Sequence, residues 1–246
     1  MFNNNSVAVV IPAFNEQASI GLVVAELVAV KFDDKSVVDT IVVCDNASTD
    51  DTAEQAIRAG ATVVYQAQKG YGIACQTALQ HLPPHDVIAF VDGDYSAVTG
   101  ELLDLLAAWH AGADLVIGAR NNERREPGAL TPQQILGNQF ATWLMRRKWQ
   151  QPTTDLGPFR VIGALALQQL QMRDAAFGWT MEMQAKAFAH GHTVVEVPVT
   201  TKRRIGYSKV SGTLRGTIGA TWGILSTFAR IAWLSHRADW QAQPPA

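Results

Sequence analysis

The sequence predicts an α/β protein built on a doubly wound, mainly parallel sheet with helices packed on its faces. Short, β-branched apolar runs alternate with amphipathic stretches through the first half of the chain. The intervals between those runs are long enough for crossover helices, and right-handed crossovers make successive strands parallel. With 48% hydrophobic and 17% charged residues, the composition is that of a folded globular chain. Its 246 residues suffice for one large domain or two small ones.

Val7 to Ile11 is short, β-branched and ends at Pro12, which predicts a buried first strand. Ile20, Val23, Val24 and Leu27 then recur at helical spacing. Thr40 to Cys44 is a second strand, followed by a helix over Thr52 to Ala59. Thr62 to Tyr65 is a third, followed by a helix over Ile73 to His81. Val87 to Val91 is a fourth, with a helix over Glu101 to Ala111, and Leu115 to Gly118 is a fifth. The second half is less regular. Helices are expected over Thr131 to Arg147 and Trp179 to Ala189, and Thr193 to Val199 alternates as a strand does. Thr153 to Arg160 reads as a loop punctuated by Gly157-Pro158, and Lys202 to Ser211 as a basic, glycine-containing loop. Thr213 to Leu234 is a last, amphipathic helix. Ile218, Trp222, Leu225, Ala229 and Trp233 share one face; Arg215, Gly219, Gly223, Ser226 and Arg230 share the other. Its longest uncharged run, Gly216 to Ala229, is 14 residues, short of the roughly 20 that span a bilayer. Either packing on the domain or lying on a membrane surface accounts for it.

The net charge of −2 conceals a polarity: residues 1–118 carry −11 and residues 119–246 carry +9. A basic second half suits an anionic partner, such as phosphates, lipid head groups or nucleic acid, or simply makes a bipolar solvated surface. The two cysteines, Cys44 and Cys75, imply no disulfide framework. With the polar start of the chain, which lacks a secretory signal, they point to the cytoplasm.

In a doubly wound sheet, ligands bind beyond the carboxyl ends of the strands. Asn15 and Glu16 follow the first strand, Asp45 to Asp50 the second, Lys69, Gly70 and Gly72 the third, and Asp92 and Asp94 the fourth. All should face one cleft. Asp92-Gly93-Asp94 is the sharpest element, since two carboxylates after a strand suit Mg²⁺ or Mn²⁺, which also takes substrate phosphates. Ser48 to Asp50 would cap the following helix while Asp45 points into the cleft. Lys69-Gly70-Tyr71-Gly72 follows the third strand and lacks the dinucleotide spacing, and there is no P-loop, which argues against a nicotinamide enzyme or a P-loop kinase. The scattered histidines lack metal-site spacing, and no nucleophile elbow is present.

Val-Ile-Pro-Ala-Phe-Asn-Glu (10–16), Asp-Asn-Ala-Ser-Thr-Asp (45–50), Lys-Gly-Tyr-Gly (69–72), Asp-Gly-Asp (92–94) and Gly118-Ala119-Arg120 occur in order. Together they resemble glycosyltransferase family 2, with its Rossmann-like GT-A fold. Arg204 to Lys209 looks like the phosphate-binding loop of the branch that makes dolichyl- and polyprenyl-phosphate sugars. Asp155 to Arg160 aligns with another segment of that branch, from which Leu156-Gly157-Pro158 departs, as does Ser96. The resemblance implies a nucleotide-sugar donor, UDP- or GDP-linked, and a divalent cation. Pro12, Asn15, Glu16 and Asp45 would hold the nucleoside with Lys69 close by, and Asp92 and Asp94 would hold the metal. Arg120, Arg160, Arg204, Ser208 and Lys209 would meet phosphates of donor or acceptor; a solvated loop is the plainer account of Arg204 and Lys209. Residues 1–118 would form the donor half and 119–212 the acceptor half of one catalytic domain, with 213–246 as a helix and tail.

The implied reaction is inverting transfer of a hexose to a lipid phosphate, with peripheral contact at the inner face of the membrane. No nucleic-acid partner is expected, and self-association is left open. A hydroxyl acceptor needs a base, for which Asp155 is the first candidate and Glu182 the second. Either could instead be structural, Asp155 by pairing with Arg160. A soluble transferase with a hydroxyl acceptor, a nucleotidyltransferase and a non-catalytic nucleotide-sugar-binding module are the alternatives.

Overall fold

The computed structural model describes residues 1–121, 123–206 and 214–235, with the side chains of the last helix from Trp222 onward. In chain order the elements are β1 (Val7–Ala13), α1 (Ile20–Val28), a small hairpin of β2 (Lys31–Phe32) and β3 (Lys35–Ser36), β4 (Thr40–Asp45), α2 (Thr52–Arg58), β5 (Thr62–Tyr65), α3 (Tyr71–Gln80) and β6 (Val87–Phe90). They continue with α4 (Leu102–His110), β7 (Leu115–Ala119), α5 (Pro132–Trp149), β8 (Arg160–Gly163), α6 (Ala164–Leu170), α7 (Trp179–His190), β9 (Val194–Pro198) and α8 (Leu214–Leu234).

Among the described residues, seven strands form one sheet in the order β5-β4-β1-β6-β8-β7-β9. Every pairing is parallel except those of β8, which runs antiparallel between β6 and β7. The sheet is therefore mainly parallel, as the crossovers predict. Both faces are covered, which is why the strands read as continuous apolar runs. On β1, Val7, Val9 and Ile11 join α1, α2 and α4 in one core, while Val10 joins α3, α6 and α7 in the other, the two-residue alternation of a strand. A third, smaller cluster packs Ala141 and Met145 of α5 against Met181, Ala185 and Phe188 of α7 and Ile231 of α8. Thr131 and Gln134 close a capping box at the start of α5, with Pro132 at its first position.

One expectation changes. Arg160 to Gly163 is a central strand and not the end of a loop, and the following seven residues are helical. A four-residue strand that opens on an arginine carries almost no periodic signal. On α8, Trp222, Ala229 and Trp233 of the apolar face are exposed. The helix buries Thr227 and Ile231 and brings Gly223 against Phe177 and Gly178. No described helix is long and apolar enough to cross a membrane.

Candidate active site

The loops after β1, β4 and β5 are stitched together by their own polar side chains. The Asn15 amide donates to Ser48 Oγ (2.9 Å), and Asn15 Oδ1 accepts from the Thr49 amide (2.8 Å). The Glu16 amide donates to Thr52 Oγ1 (2.7 Å). Asn15 and Ala47 both adopt left-handed backbone conformations, which asparagine tolerates better than most residues. Asp45, buried, accepts from the Ser48 amide at 3.0 Å. Asn46 donates to the carbonyls of Gln66 (3.1 Å) and Gln68 (2.6 Å) and accepts from the Gly70 amide (2.7 Å). Asn15 and Asp45 thus hold the rim in shape. Of the residues expected to cap α2, Asp50 does so, its Oδ1 accepting from the Thr52 amide (3.1 Å), while Ser48 serves Asn15.

A cleft of about 300 Å³ opens beyond these strand ends, lined by Pro12, Glu16, Lys69, Asp92, Asp94 and Arg204 among others. Lys69 is anchored over the Phe14 ring, its Nζ 4.2 Å from the centroid. The Tyr71 hydroxyl donates to Asp92 Oδ1 (2.9 Å). Desolvation, and then the neighbouring Asp94 charge, push the Asp92 carboxyl up to about 6. Asp94 accepts from the Ser96 amide (3.0 Å) and pairs with Arg204 Nη1 at 2.9 Å. The Ile205 amide donates to the Asp94 carbonyl (3.0 Å), which ties the basic loop to the Asp-Gly-Asp turn. Of that loop's cations, Arg204 turns into the cleft. Lys202 lies over the Tyr95 ring at 3.5 Å, and Arg203 donates to the Pro127 carbonyl. Ser208 and Lys209, which the resemblance assigned to phosphates of donor or acceptor, lie outside the described residues.

A smaller recess shares Asp92 and Arg204 and adds Arg120, Thr200 and Thr201. Arg120 grips Asp155 through Nε to Oδ2 (2.8 Å) and Nη2 to Oδ1 (2.7 Å), and its amide also donates to Oδ2 (2.8 Å). Although burial opposes ionisation, this pairing holds the Asp155 carboxyl below the usual carboxylate range. The partner of Asp155 is Arg120 and not Arg160. Arg160 is fully buried and donates to the carbonyls of Gly157 and Thr180 (3.0 Å each through Nε and Nη1). Burial lowers its guanidinium to about 10, so it remains charged at neutral pH, behind the cleft wall. Glu182 lies elsewhere, buried between Lys186 Nζ (2.9 Å) and Arg230 Nη2 (3.5 Å), where α7 meets α8.

Three site residues escaped sequence reasoning. Tyr71 sat inside a quoted motif, with nothing to mark its bond to Asp92. Phe177, which lines the cleft, belongs to a loop far along the chain. Glu196 of β9 accepts from Thr153 Oγ1 and the Thr154 amide (2.7 Å each), fixing the approach to Asp155.

The model of "Glycosyl transferase family 2" matches residues 8–169. The chain is a family 2 glycosyltransferase. An uncharacterised glycosyltransferase of Mycobacterium tuberculosis is 37% identical to this family 2 glycosyltransferase over 228 residues, 90% of this chain and 99% of that one. A dolichyl-phosphate hexose transferase of Haloferax volcanii is 27% identical, with 84% and 87% of the two chains covered. A polyprenol monophosphomannose synthase of Mycolicibacterium smegmatis is also 27% identical, over 88% and 86%. Among solved structures, glucosyl-3-phosphoglycerate synthase from Mycobacterium tuberculosis, crystallised with Mn²⁺, UDP and phosphoglyceric acid, superposes with a TM-score of 0.71. At 19% identity over 93% of this chain and 79% of that one, it establishes the shared GT-A fold of this glycosyltransferase.

Proposed function

We propose that this enzyme transfers a hexose, with inversion, from a UDP- or GDP-sugar to a polyprenyl-type lipid phosphate, assisted by a divalent cation. The observation that carries the proposal is the single cleft in which Asp92, Asp94, Lys69 and Arg204 meet at the carboxyl ends of parallel strands. Asp92 and Asp94 fit a hard cation such as Mg²⁺ or Mn²⁺, which takes one or two carboxylates and completes its shell with phosphates and water. Among the described residues, no third acidic, histidine or cysteine side chain joins them. Bound there, the cation would supply charge stabilisation for the departing diphosphate. Pro12 and Glu16 flank the nucleoside end of the cleft, with Asn15 and Asp45 shaping its rim. Lys69 and Arg204 face the phosphates. The donor side is built from residues 1–118 and the acceptor side from 119–212.

A lipid-phosphate acceptor is supported by the state of Asp155. Its carboxyl is shifted below the ordinary range and bound on both oxygens by Arg120, so it is a weak proton acceptor. A phosphate nucleophile is already anionic and needs none. Asp155 is then the residue that aims Arg120 at the acceptor, and Arg160 braces the strand behind. The named activities of the Haloferax and Mycolicibacterium relatives support the same acceptor class. A cytoplasmic location belongs to the proposal, supported by two free, buried cysteines.

The test is a screen of UDP- and GDP-sugars with Mn²⁺ or Mg²⁺, read by thermal shift and by transfer to polyprenyl phosphate in detergent. A donor at a hundredfold excess over its Kd adds about 2.7 kcal/mol of stability. One donor should shift the melting temperature only with metal present. Asp94→Ala should abolish that shift and lower kcat/KM about 100- to 1,000-fold. A donor shift that persists in Asp94→Ala or in chelator would refute the metal assignment. Transfer to a sugar hydroxyl, with none to polyprenyl phosphate, would refute the acceptor.

A further inference from the structure

Two neighbouring helices hold large apolar side chains in solvent, opposite the faces they bury. On α5, Ala141, Thr142 and Met145 turn inward. Leu136, Phe140, Trp143 and Arg147 recur along the other side at four-, three- and four-residue spacing. Leu136 is 66% exposed, Phe140 50% and Trp143 48%, and the two rings stack on each other with centroids 5.9 Å apart. The same arrangement is repeated on α8. Thr227 and Ile231 turn inward, while Trp222, Ser226, Ala229 and Trp233 form the outward stripe, with Trp222 74% exposed. The inner faces meet where Trp149 of α5 stands edge-on to Phe228 of α8 at 5.7 Å.

Charge selects what these faces meet. Neither helix contains an aspartate or glutamate. The α5 stripe ends in Arg147, whereas Arg146 turns to the Thr153 carbonyl and Arg230 of α8 to Glu182. A symmetric contact between two copies would set one basic, acid-free face against another. An anionic lipid surface neutralises that charge while its acyl boundary takes up the rings. Both helices are also tied to the site. Ala129 and Leu130, just before α5, line the recess that holds Arg120 and Arg204. On the other side, Gly223 of α8 packs against the Phe177-Gly178 segment, whose phenylalanine lines the cleft.

We propose that the outward faces of α5 and α8 form one docking surface for an anionic bilayer. Leu136, Phe140, Trp143, Trp222 and Trp233 enter the headgroup–acyl boundary, and Arg147, on the same stripe, meets lipid phosphates. The proposal rests on the lipid-phosphate reading for its purpose but not for its test, because docking is measured with neither donor nor acceptor present.

The experiment is flotation of the full chain with phosphatidylcholine vesicles, with and without phosphatidylglycerol, at low and high salt. The wild type should float with the phosphatidylglycerol vesicles and much less at high salt. Phe140→Ser with Trp143→Ser, and separately Trp222→Ser with Trp233→Ser, should each reduce the bound fraction about tenfold or more. Their melting temperatures and donor-induced shifts should match the wild type, because the replaced side chains are exposed. A wild type that stays at the bottom of the gradient overturns the proposal, as does equal flotation of the paired variants. So does a dimer in sedimentation that the same substitutions dissociate, since a second copy would then cover the stripes. Flotation without transfer to polyprenyl phosphate would refute the acceptor and leave the docking surface standing.

Discussion

Arg204 and Lys202 are two residues apart and carry the same charge, yet they have different work. Arg204 pairs with Asp94 in the cleft, whereas Lys202 is held over Tyr95 and lies 3.8 Å from Glu26. Arg204→Ala should lower kcat/KM by about 100-fold, the scale of removing one preorganised charge donor. Lys202→Ala should leave kcat/KM within a few-fold of wild type. Equal losses in a steady-state assay would mean that the loop acts by bulk charge and not by placement. Asp155→Asn should cost about 2–3 kcal/mol at neutral pH, less than the ~3–5 kcal/mol of a fully buried pair because Arg120 keeps some contact with solvent. The sign with pH follows from the depressed folded-state carboxyl. Its stabilisation is complete above the unfolded value of about 3.9 and is lost as pH falls through the lower folded value. Denaturant titrations of both proteins should therefore differ at pH 7 and converge only in strong acid. A constant difference down to that range would show that the pair is not the source. Asp92 and Asp94 were legible in the sequence because they form a polar cluster whose place is fixed by the end of a strand, whereas Arg204 was marked by the resemblance of its loop. Tyr71 was not legible, because its partner Asp92 comes from another strand and only the packed sheet joins them. The sequence also paired Asp155 with the wrong arginine: local separation favours Arg160, but the strand that Arg160 opens carries its side chain into the interior.

At the scale of elements, close approach between backbones explains what apolar periodicity misses. A methyl group on Gly72, in the first turn of α3, would collide with the Asp174 carbonyl oxygen of the loop before α7. Gly72→Ala should cost about 1–3 kcal/mol through that overpacking. Gly100→Ala, which meets nothing within 4 Å, is the control and should be nearly neutral. Urea unfolding of the two variants decides it, and similar midpoints would remove the steric account. The same physical reason governs α8, for which the sequence left packing and a membrane surface open. The helix packs through Gly223 and Thr227, whose hydroxyl donates to Asp174 Oδ2 (2.7 Å). Small residues permit the approach that tryptophans prevent. The sheet strands and the helices of the first half were legible because each apolar run is bounded by polar turns, but the exposed hairpin of β2 and β3 carries no such run. β8 was not legible either, because its role as a central strand depends on the two neighbours that flank it.

For the whole molecule, the sheet order makes the two halves of the sequence inseparable in folding, whatever their division of labour in binding. β6 and β7 both lie before residue 120, but they are joined only through β8. A fragment of residues 1–118 would leave β7 without a partner on either side, since β9 is also missing. It should give poorly dispersed amide spectra and no cooperative melt, whereas the full chain gives both. A well-dispersed, cooperative fragment would show that β1, β4, β5 and β6 suffice alone. The same insertion imposes an order on biosynthesis. As the chain leaves the ribosome, Val87 to Phe90 can join β1 at once, but the other edge of that strand stays open until residues 160–163 emerge. Throughout that interval Leu115 to Ile117, buried in the finished protein, are exposed to solvent. Growing chains of this protein therefore present a defined window for chaperone capture or misassociation, which closes when Arg160 and the three residues after it slot between strands made long before.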